Sequence, residues 1–176
     1  MRTYTRARIE GATYFFTVNV AERRHDPLLV RHIADLRLAF KTVQLQHPFT
    51  MDAGVVLPDH LHCLWTLPAE DSDFSMRWRL IKSNFSRSIA RTERISESRQ
   101  RRAERGIWQR RYWEHLIHDE DDFMRHLDYI HYNPVKHGHA ASPWEWRHSS
   151  FRKWVKQEVY APDWAAPDDV AQLDWE

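Results

Sequence analysis

Apolar residues recur along this chain at two spacings, every second residue in some stretches and every third or fourth in others. Aromatic and β-branched residues at 13–20 predict a first strand. Apolar runs at 49–57 and 60–67 predict two more strands, and the Pro58-Asp59 pair between them predicts the turn of a hairpin. The stretch 107–117 has an extended pattern that predicts one or two short strands.

Three other stretches show apolar residues at helical spacing and predict helices. The first covers about 30–46 and the second about 73–92. The third begins with the acids of 119–121, which suit the positive end of a helix. It is predicted to end near Tyr132, because the Asn133-Pro134 pair that follows disfavours continued helix.

The predicted order is β-α-β-β-α-β followed by a further helix. This order indicates an α+β protein with a ferredoxin-like core, in which helices cover one face of an antiparallel sheet. A C-terminal extension would carry the third helix. The 176 residues predict one domain at 1–155, with a basic N-terminal arm, and an acidic tail at 156–176.

Composition excludes several classes of protein. No apolar run approaches the roughly 18 residues of a membrane helix, and no apolar run follows the basic start of the chain as it would in a signal peptide. The single cysteine, Cys63, rules out an internal disulfide and suits a reducing cytoplasm.

Charge is distributed unevenly along the chain. Residues 77–111 contain twelve Lys or Arg and only three acids, and eleven of the twelve are arginine. This block predicts a surface for a polyanion, because arginine matches phosphate geometry well, although a solvated helix face is the plainer interpretation. Within the block, 93–105 predicts a mobile polar connection. Residues 157–176 hold six acids and neither Lys nor Arg.

Two histidines, His60 and His62, lie two residues apart in the third predicted strand. Side chains at i and i+2 of a strand point to the same face, about 7 Å apart, so both imidazoles can reach one metal ion. Leu61 and Cys63 would then point into the core. A pair of surface histidines on an edge strand is the alternative.

The third helix carries a polar stripe that includes Tyr129 and Asn133, at i and i+4 on one face. If this helix crosses the histidine strand, a phenol, an amide and two imidazoles surround one cation. That set suits phosphodiester cleavage in which tyrosine attacks phosphorus and stays covalently attached, so that a second 3′-hydroxyl can later rejoin the strand. Tyr112 and Tyr132 are rival nucleophiles, and Asn133 has an alternative role in ending the helix.

Four motifs give the sequence a family resemblance. They are Pro58-Asp59-His60-Leu61-His62-Cys63-Leu64-Trp65, Arg77-Trp78-Arg79-Leu80-Ile81-Lys82, Ile107-Trp108-Gln109-Arg110-Arg111-Tyr112-Trp113-Glu114-His115, and Asp128-Tyr129-Ile130-His131-Tyr132-Asn133-Pro134-Val135-Lys136-His137-Gly138. In this order they resemble the REP-associated tyrosine transposases, a branch of the single-tyrosine HUH-type transposases. The similarity extends over roughly residues 10–165.

The resemblance implies metal-dependent cleavage of single-stranded DNA at the hairpins of bacterial repetitive extragenic palindromes (REPs). It implies His60 and His62 as metal ligands, Tyr129 as the nucleophile that forms a 5′-phosphotyrosine, and Asn133 as a third ligand. It also implies a nucleoid-associated bacterial protein, acting as a monomer or a homodimer. Two imidazoles alone suit Zn²⁺, whereas an added amide, waters and a phosphate favour Mg²⁺ or Mn²⁺.

The expected DNA surface is drawn from the basic block. Its members are Arg77, Arg79, Lys82, Arg87, Arg110 and Arg111. Two other functions fit the same residues: a hairpin-binding nucleoid or regulatory protein that does not cleave, and a metallohydrolase that needs no tyrosine. The acids of the tail, with Trp164, are expected to cover the basic surface and compete with DNA, unless the tail is a disordered terminus.

Overall fold

The structure of the chain is a computed structural model, which describes residues 8–21, 27–91, 93, 95–102 and 104–175. The basic arm expected at the N-terminus lies outside the described residues, apart from Arg8. In chain order the elements are β1 (Thr13–Asn19), α1 (Leu28–Arg31), α2 (Ile33–Gln46), β2 (Thr50–Val56), β3 (His60–Thr66), α3 (Phe74–Ser88), α4 (Glu97–Gln100), β4 (Trp113–Leu116), α5 (Glu120–Lys136), a 3₁₀ turn (Pro143–Glu145), α6 (Phe151–Lys156) and α7 (Asp168–Ala171).

The four strands form one antiparallel sheet in the order β2-β3-β1-β4. The central strand β1 pairs with β3 from Thr13 opposite Thr66 to Asn19 opposite His60, and with β4 from Tyr14 opposite Leu116. A bulge between Met51 and Ala53 interrupts the pairing of β2 with β3. The predicted ferredoxin-like core is confirmed.

Each face of the sheet buries its own hydrophobic core. On the first face, α2 and α3 pack against alternate strand residues, including Phe16, Leu61 and Trp65. On the second face, α5 packs against the intervening residues, such as Phe15 and Leu64. The core helices therefore share one face, as predicted, and the C-terminal extension places its long helix on the other.

The third helix is longer than the sequence predicted. It continues through Asn133 and Pro134 to Lys136, with the proline inside the helix. Proline removes one N–H donor, but the bonding resumes where His137 N–H donates to the Asn133 carbonyl, at 3.1 Å. The prediction of a helix end near Tyr132 is therefore wrong.

The described residues of the connection at 93–105, which exclude 94 and 103, are more ordered than their composition indicated. It contains the short helix α4, and the guanidinium of Arg105 bonds the Glu93 carboxylate at 2.6 and 2.8 Å. Arg105 also donates to the carbonyls of Ile89 and Ala90, at the end of α3. These contacts hold this part of the connection against the helix that precedes it.

After α5 the chain returns across the second face. Phe151 of α6, Tyr160 and Val170 of α7 are buried in the second core beside α5. The plain disordered terminus considered from the sequence is therefore wrong for the described tail. None of the helices in the described ranges is both long and apolar enough to cross a membrane.

Candidate active site

His60 and His62 lie side by side on β3, facing α5. Both are buried, with 2% and 0% of their surface exposed, and their ring centroids are 5.0 Å apart. Leu61 and Cys63 point into the first core, as predicted. The histidine pair therefore projects from the second face into the space beneath α5. The alternative of surface histidines on an edge strand is wrong, because β3 is interior to the sheet.

Hydrogen bonds fix which nitrogen of each imidazole is available. His60 Nδ1 lies 2.7 Å from an Asp59 carboxylate oxygen, which can only accept, so Nδ1 carries the proton. Thr17 Oγ1 donates to the Trp175 carbonyl at 2.7 Å and lies 2.9 Å from His62 Nδ1, so its oxygen accepts from that nitrogen. In both rings the Nε2 lone pair is left free for a ligand.

Within the described chain, the Nε2 atoms of His60 and His62 are buried and have no hydrogen-bond partner. Burial lowers the pKa of His62 well below its usual 6.5, with smaller contributions from His60, His137 and Lys136. His62 is therefore neutral at physiological pH, as a metal ligand must be. A metal ion would satisfy both Nε2 atoms, and the bonds at Nδ1 are the outer contacts that typically orient metal-binding histidines.

Tyr129 packs against this pair from α5. It is buried, and its ring centroid is 5.2 Å from that of His62, in an edge-to-face arrangement. The Lys136 ammonium lies 5.2 Å from the Tyr129 ring centroid and adds a positive charge to the pocket. The crossing of the helix over the histidine strand, expected from the sequence, therefore occurs.

Asn133 lies one helical turn after Tyr129 and is fully buried. Among the described residues, neither its amide oxygen nor its amide nitrogen has a hydrogen-bond partner. A buried amide in this state costs stability, about 1–3 kcal/mol, and a ligand to its oxygen offsets part of that cost. Its position within the helix removes the alternative role as a helix-ending residue.

His137 extends the same stripe by one more turn, because Tyr129, Asn133 and His137 are each four residues apart. Its ring centroid is 5.1 Å from that of His60. Tyr129 packs against His62, and His137 packs against His60. Asn133 lies between Tyr129 and His137 on the helix and is therefore positioned over the histidine pair. His137 was not predicted as a site residue because the helix was expected to end near Tyr132. The repeat at i+4 and i+8 from Tyr129 is the signal that would have found it.

The rival tyrosine Tyr112 lies elsewhere, whereas Tyr132 is on α5 together with Tyr129. Tyr112 contacts Phe16 and Trp78 in the first core, and its hydroxyl donates to Ser75 at 3.2 Å. It is therefore on the opposite side of the sheet from the histidine pair.

The last residues of the chain cover the Tyr129 pocket. Trp175 packs on the rings of His126 and Tyr129, at centroid distances of 4.1 and 4.9 Å, and its backbone N–H donates to the Tyr129 hydroxyl at 3.2 Å. Trp164 instead packs against Phe151 and Tyr160 in the second core. The expectation that Trp164 and the tail acids cover the basic surface is therefore wrong, because the tail crosses the other face.

The described residues also include a possible metal-binding triad near the start of α5. Ligand atoms of His115, His118 and Asp122 all lie within 4.8 Å of one another. Burial acts to raise the pKa of Asp122, but hydrogen bonds with His115 and the His118 N–H outweigh it and hold the pKa below its usual value. The side chain is therefore a carboxylate at neutral pH. Nothing in the sequence reasoning identified this group.

Arg77 does not belong to the expected DNA surface. It is 1% exposed and donates to the carbonyls of His47, Pro48 and Asp73. Its guanidinium also bonds the Asp71 carboxylate at 2.6 Å. These contacts use the guanidinium donors of Arg77 to fix α3 to the segment before β2. The prediction that Arg77 belongs to the DNA surface is therefore wrong.

Four of the remaining residues lie in one groove on the outer side of the first core. The groove has a volume of about 670 Å³ and runs between α3 and the segment 104–112. Its basic residues are Arg79, Lys82, Arg87, Arg91, Arg105 and Arg110. Trp108 and Tyr112 also line it, and the Lys82 ammonium lies 5.1 Å from the Tyr112 ring centroid. Arg111 is exposed beside the groove but does not line it.

The ferredoxin-like sheet and the His-hydrophobic-His strand under a tyrosine-bearing helix define the class of HUH-type tyrosine transposases. No family model matches the chain. It is 42% identical over 171 residues to a Haemophilus influenzae protein provisionally named a REP-associated tyrosine transposase, covering 97% of each chain. It is also 42% identical over 165 residues to the REP-associated tyrosine transposase of Escherichia coli K12, covering 94% of this chain and 92% of that one.

A solved structure agrees with these relatives. The structure of a REP-associated tyrosine transposase bound to a REP hairpin superposes with a TM-score of 0.81 at 42% identity, covering 95% of this chain and 93% of that chain. The protein therefore belongs to the family of REP-associated tyrosine transposases.

Proposed function

We propose that this protein is a metal-dependent endonuclease and strand transferase that acts on single-stranded DNA at REP hairpins. One observation supports this most directly: the buried Tyr129 ring lies 5.2 Å from His62, while the Nε2 atoms of His60 and His62 have no partner among the described residues. The REP substrate comes from the relative solved with a REP hairpin. The setting we propose is the bacterial cytoplasm, at the nucleoid, with the chain acting as a monomer or a homodimer.

The residues present fit a divalent ion. We assign His60 Nε2, His62 Nε2 and the Asn133 amide oxygen as its ligands, and add His137 as a further candidate. An amide oxygen together with waters and a phosphate favours Mg²⁺ or Mn²⁺ over Zn²⁺. When bound, the ion would polarise a phosphate oxygen and stabilise the charge that develops there.

Tyr129 is the proposed nucleophile. Its phenolic oxygen forms a bond to phosphorus while the bond from phosphorus to the 3′-oxygen breaks, leaving a 5′-phosphotyrosine and a 3′-hydroxyl. The phenolic proton leaves to water and the departing oxygen gains one, so protons balance. Attack by a 3′-hydroxyl on the phosphotyrosine reverses these changes and joins a new strand.

The DNA surface we propose is the basic groove, with Arg79, Lys82, Arg87 and Arg110, together with the neighbouring Arg111. The groove and Tyr129 lie on opposite faces of the sheet, so a bound strand would pass around the edge strand β4. Trp113 of β4 is 38% exposed at this edge and can stack on a base.

Phosphate contacts in this groove predict a strong salt dependence. If about five phosphates of single-stranded DNA are neutralised, log affinity falls against log salt with a slope of about −3 to −4. Each of Arg79→Gln and Arg110→Gln should reduce the slope by about 0.7. The measurement is fluorescence anisotropy of a labelled hairpin with a single-stranded extension. A slope that neither variant changes would remove the groove from the interface.

The decisive experiment for catalysis traps the covalent intermediate. The protein is incubated with a labelled REP hairpin oligonucleotide and Mg²⁺ or Mn²⁺, then denatured and separated by electrophoresis. The wild type should give a protein–DNA adduct and Tyr129→Phe none, because phenylalanine keeps the ring but lacks the attacking oxygen. Tyr132→Phe, three residues away on the same helix, is the matched control and should keep the adduct.

The same experiment separates the alternatives. An adduct from Tyr129→Phe would show that the nucleophile assignment is wrong. Cleavage without an adduct, unchanged in Tyr129→Phe, would favour a metallohydrolase. Tight hairpin binding with no cleavage in either metal would favour a regulatory hairpin-binding protein. That last function is our second candidate, because the tail covers Tyr129 while the groove lies on the other face.

A further inference from the structure

The possible metal-binding triad lies outside the proposed catalytic centre. His115 is on β4, His118 is in the turn that follows, and Asp122 is in the first turn of α5. His115 Nε2 is 2.8 Å from an Asp122 carboxylate oxygen, and the ring centroids of His115 and His118 are 5.6 Å apart. Small side-chain movements bring these ligand atoms, all within 4.8 Å, to the spacing that one ion requires.

We propose that His115, His118 and Asp122 form a second divalent-metal site, with a preference for Zn²⁺, distinct from the site at His60 and His62. Two imidazoles and one carboxylate are a common zinc ligand set, with Zn–N and Zn–O distances of about 2.0–2.2 Å. Waters can complete the tetrahedron, since His118 is exposed. The net charge of the set is −1, whereas the set of His60, His62 and the Asn133 amide is neutral, so Zn²⁺ favours the triad.

The outer contacts of the triad resemble those of built metal sites. The second carboxylate oxygen of Asp122 is 3.1 Å from His126 Nδ1, and its first oxygen accepts the His118 backbone N–H at 3.0 Å. Such contacts orient a ligand before an ion arrives. The partial positive charge at the start of α5 opposes a cation, but the acids of the first turn, Glu120, Asp121 and Asp122, offset it.

The position of the triad gives the ion a structural consequence. It would join β4 to the first turn of α5, the helix that carries Tyr129 about 10 Å further along its axis. The His126 ring lies between the triad and the tail, with centroids 4.6 Å from His115 and 4.1 Å from Trp175. A bound ion should therefore stabilise both the packing of α5 on β4 and the position of the His126 ring, on which Trp175 packs.

The test is equilibrium binding of Zn²⁺ to the full-length protein, with Co²⁺ absorption as a second report on the ligand set. His118→Ala removes an exposed ligand without opening the core, and it should bind one ion fewer than the wild type. The loss of affinity at the triad should exceed about 100-fold, since even outer contacts contribute 10–100-fold. His32→Ala is the matched control, because His32 also pairs with an acid, Asp35 at 3.3 Å, without belonging to the triad.

The double variant His60→Ala/His62→Ala should retain the ion lost in His118→Ala. Zn²⁺ should raise the melting temperature of this double variant, but not of a triple variant that also carries His118→Ala. The proposal is overturned if His118→Ala binds as many ions as the wild type, or if the double variant loses all binding. The triad would then be only a hydrogen-bonded start of α5. Because these readouts do not involve DNA cleavage, they are independent of the proposed nuclease activity.

Discussion

The two faces of the sheet bury side chains of different chemistry. The first face is filled by large aromatic and aliphatic residues, with Trp65 and Trp78 stacked at a centroid distance of 4.4 Å. The second face buries imidazoles and an amide: His60 and His62 come from β3, and His126, His131 and Asn133 come from α5. The first face also buries two charged residues, Arg77 and Glu114, but the Arg77 guanidinium is paired with backbone carbonyls and the Asp71 carboxylate. Its indole N–H groups without acceptors among the described residues are single atoms on large apolar rings.

The difference separates what stabilises the fold from what performs chemistry. Buried polar atoms without partners reduce stability, and a protein with such atoms gathered at one place typically has a functional reason for them. The sheet serves both purposes because side chains alternate between its faces, so one strand, β3, provides Trp65 to the core and His62 to the site.

The largest expected effect comes from removing a polar group from the second face. His62→Leu should lower cleavage by at least about 100-fold, because the metal ion that we propose there would contribute several kcal/mol to stabilising the transition state. Its free energy of unfolding should change little, because leucine removes an Nε2 that has no partner but also removes the bond from Nδ1 to Thr17, which still donates to the Trp175 carbonyl. Adduct formation and urea denaturation measure the two quantities.

The matched control on the first face is Trp78→Ala. It should destabilise the fold by about 3–5 kcal/mol through the cavity it leaves, with adduct yield per folded molecule unchanged. If His62→Leu proved as destabilising as Trp78→Ala, the conclusion that the first face stabilises the fold while the second face holds the functional groups would be wrong.

A second, smaller effect concerns acid. Burial lowers the pKa of His131 from 6.5 to about 3 and that of His126 to about 4. At pH values between the lowered pKa in the folded protein and the usual pKa of 6.5, the unfolded chain binds more protons than the folded protein. The contribution of these histidines to stability is therefore fully present above pH 6.5 and is lost as the pH falls toward about 3. Each histidine contributes a slope of at most about 1.4 kcal/mol per pH unit.

Denaturation curves at several pH values between 4 and 7 measure this slope. His131→Gln retains a polar side chain that can bond Ser150, the present partner of His131 at 2.8 Å, but does not titrate. The variant should therefore lose part of the slope. A wild-type slope that His131→Gln leaves unchanged would mean that other groups set the acid response.

The sequence predicted features that depend on local periodicity. The strands, the helices on the first face, and the opposite orientation of His62 and Cys63 all follow from spacing. The end of α5 was misjudged because Pro134 is usually a helix breaker, and that error hid His137. Arg77 was misplaced because its burial depends on carbonyls about 30 residues earlier in the chain. Trp175 contacts Tyr129, which lies 46 residues earlier in the chain, so no local sequence pattern indicates this contact.

The smallest effect tests the tail, which rests on the second face alone. Besides its contacts with Tyr129, the tail is held by Lys136, whose ammonium donates to the Leu173 carbonyl at 2.8 Å and lies 3.5 Å from Asp174. If Tyr129 is the nucleophile proposed above, DNA must displace Trp175 to reach it. We therefore expect that removing residues 173–176 raises cleavage, by up to about tenfold if displacement costs about 1.4 kcal/mol. Deletion only from 173 onward preserves Tyr160 and Val170, which belong to the second core.

Trp175→Ala should give most of the increase, and hairpin affinity in the groove should not change, because the groove lies on the other face. An increase in affinity without an increase in cleavage would place the competing contact at the groove after all, and unchanged cleavage would make the tail only part of the fold.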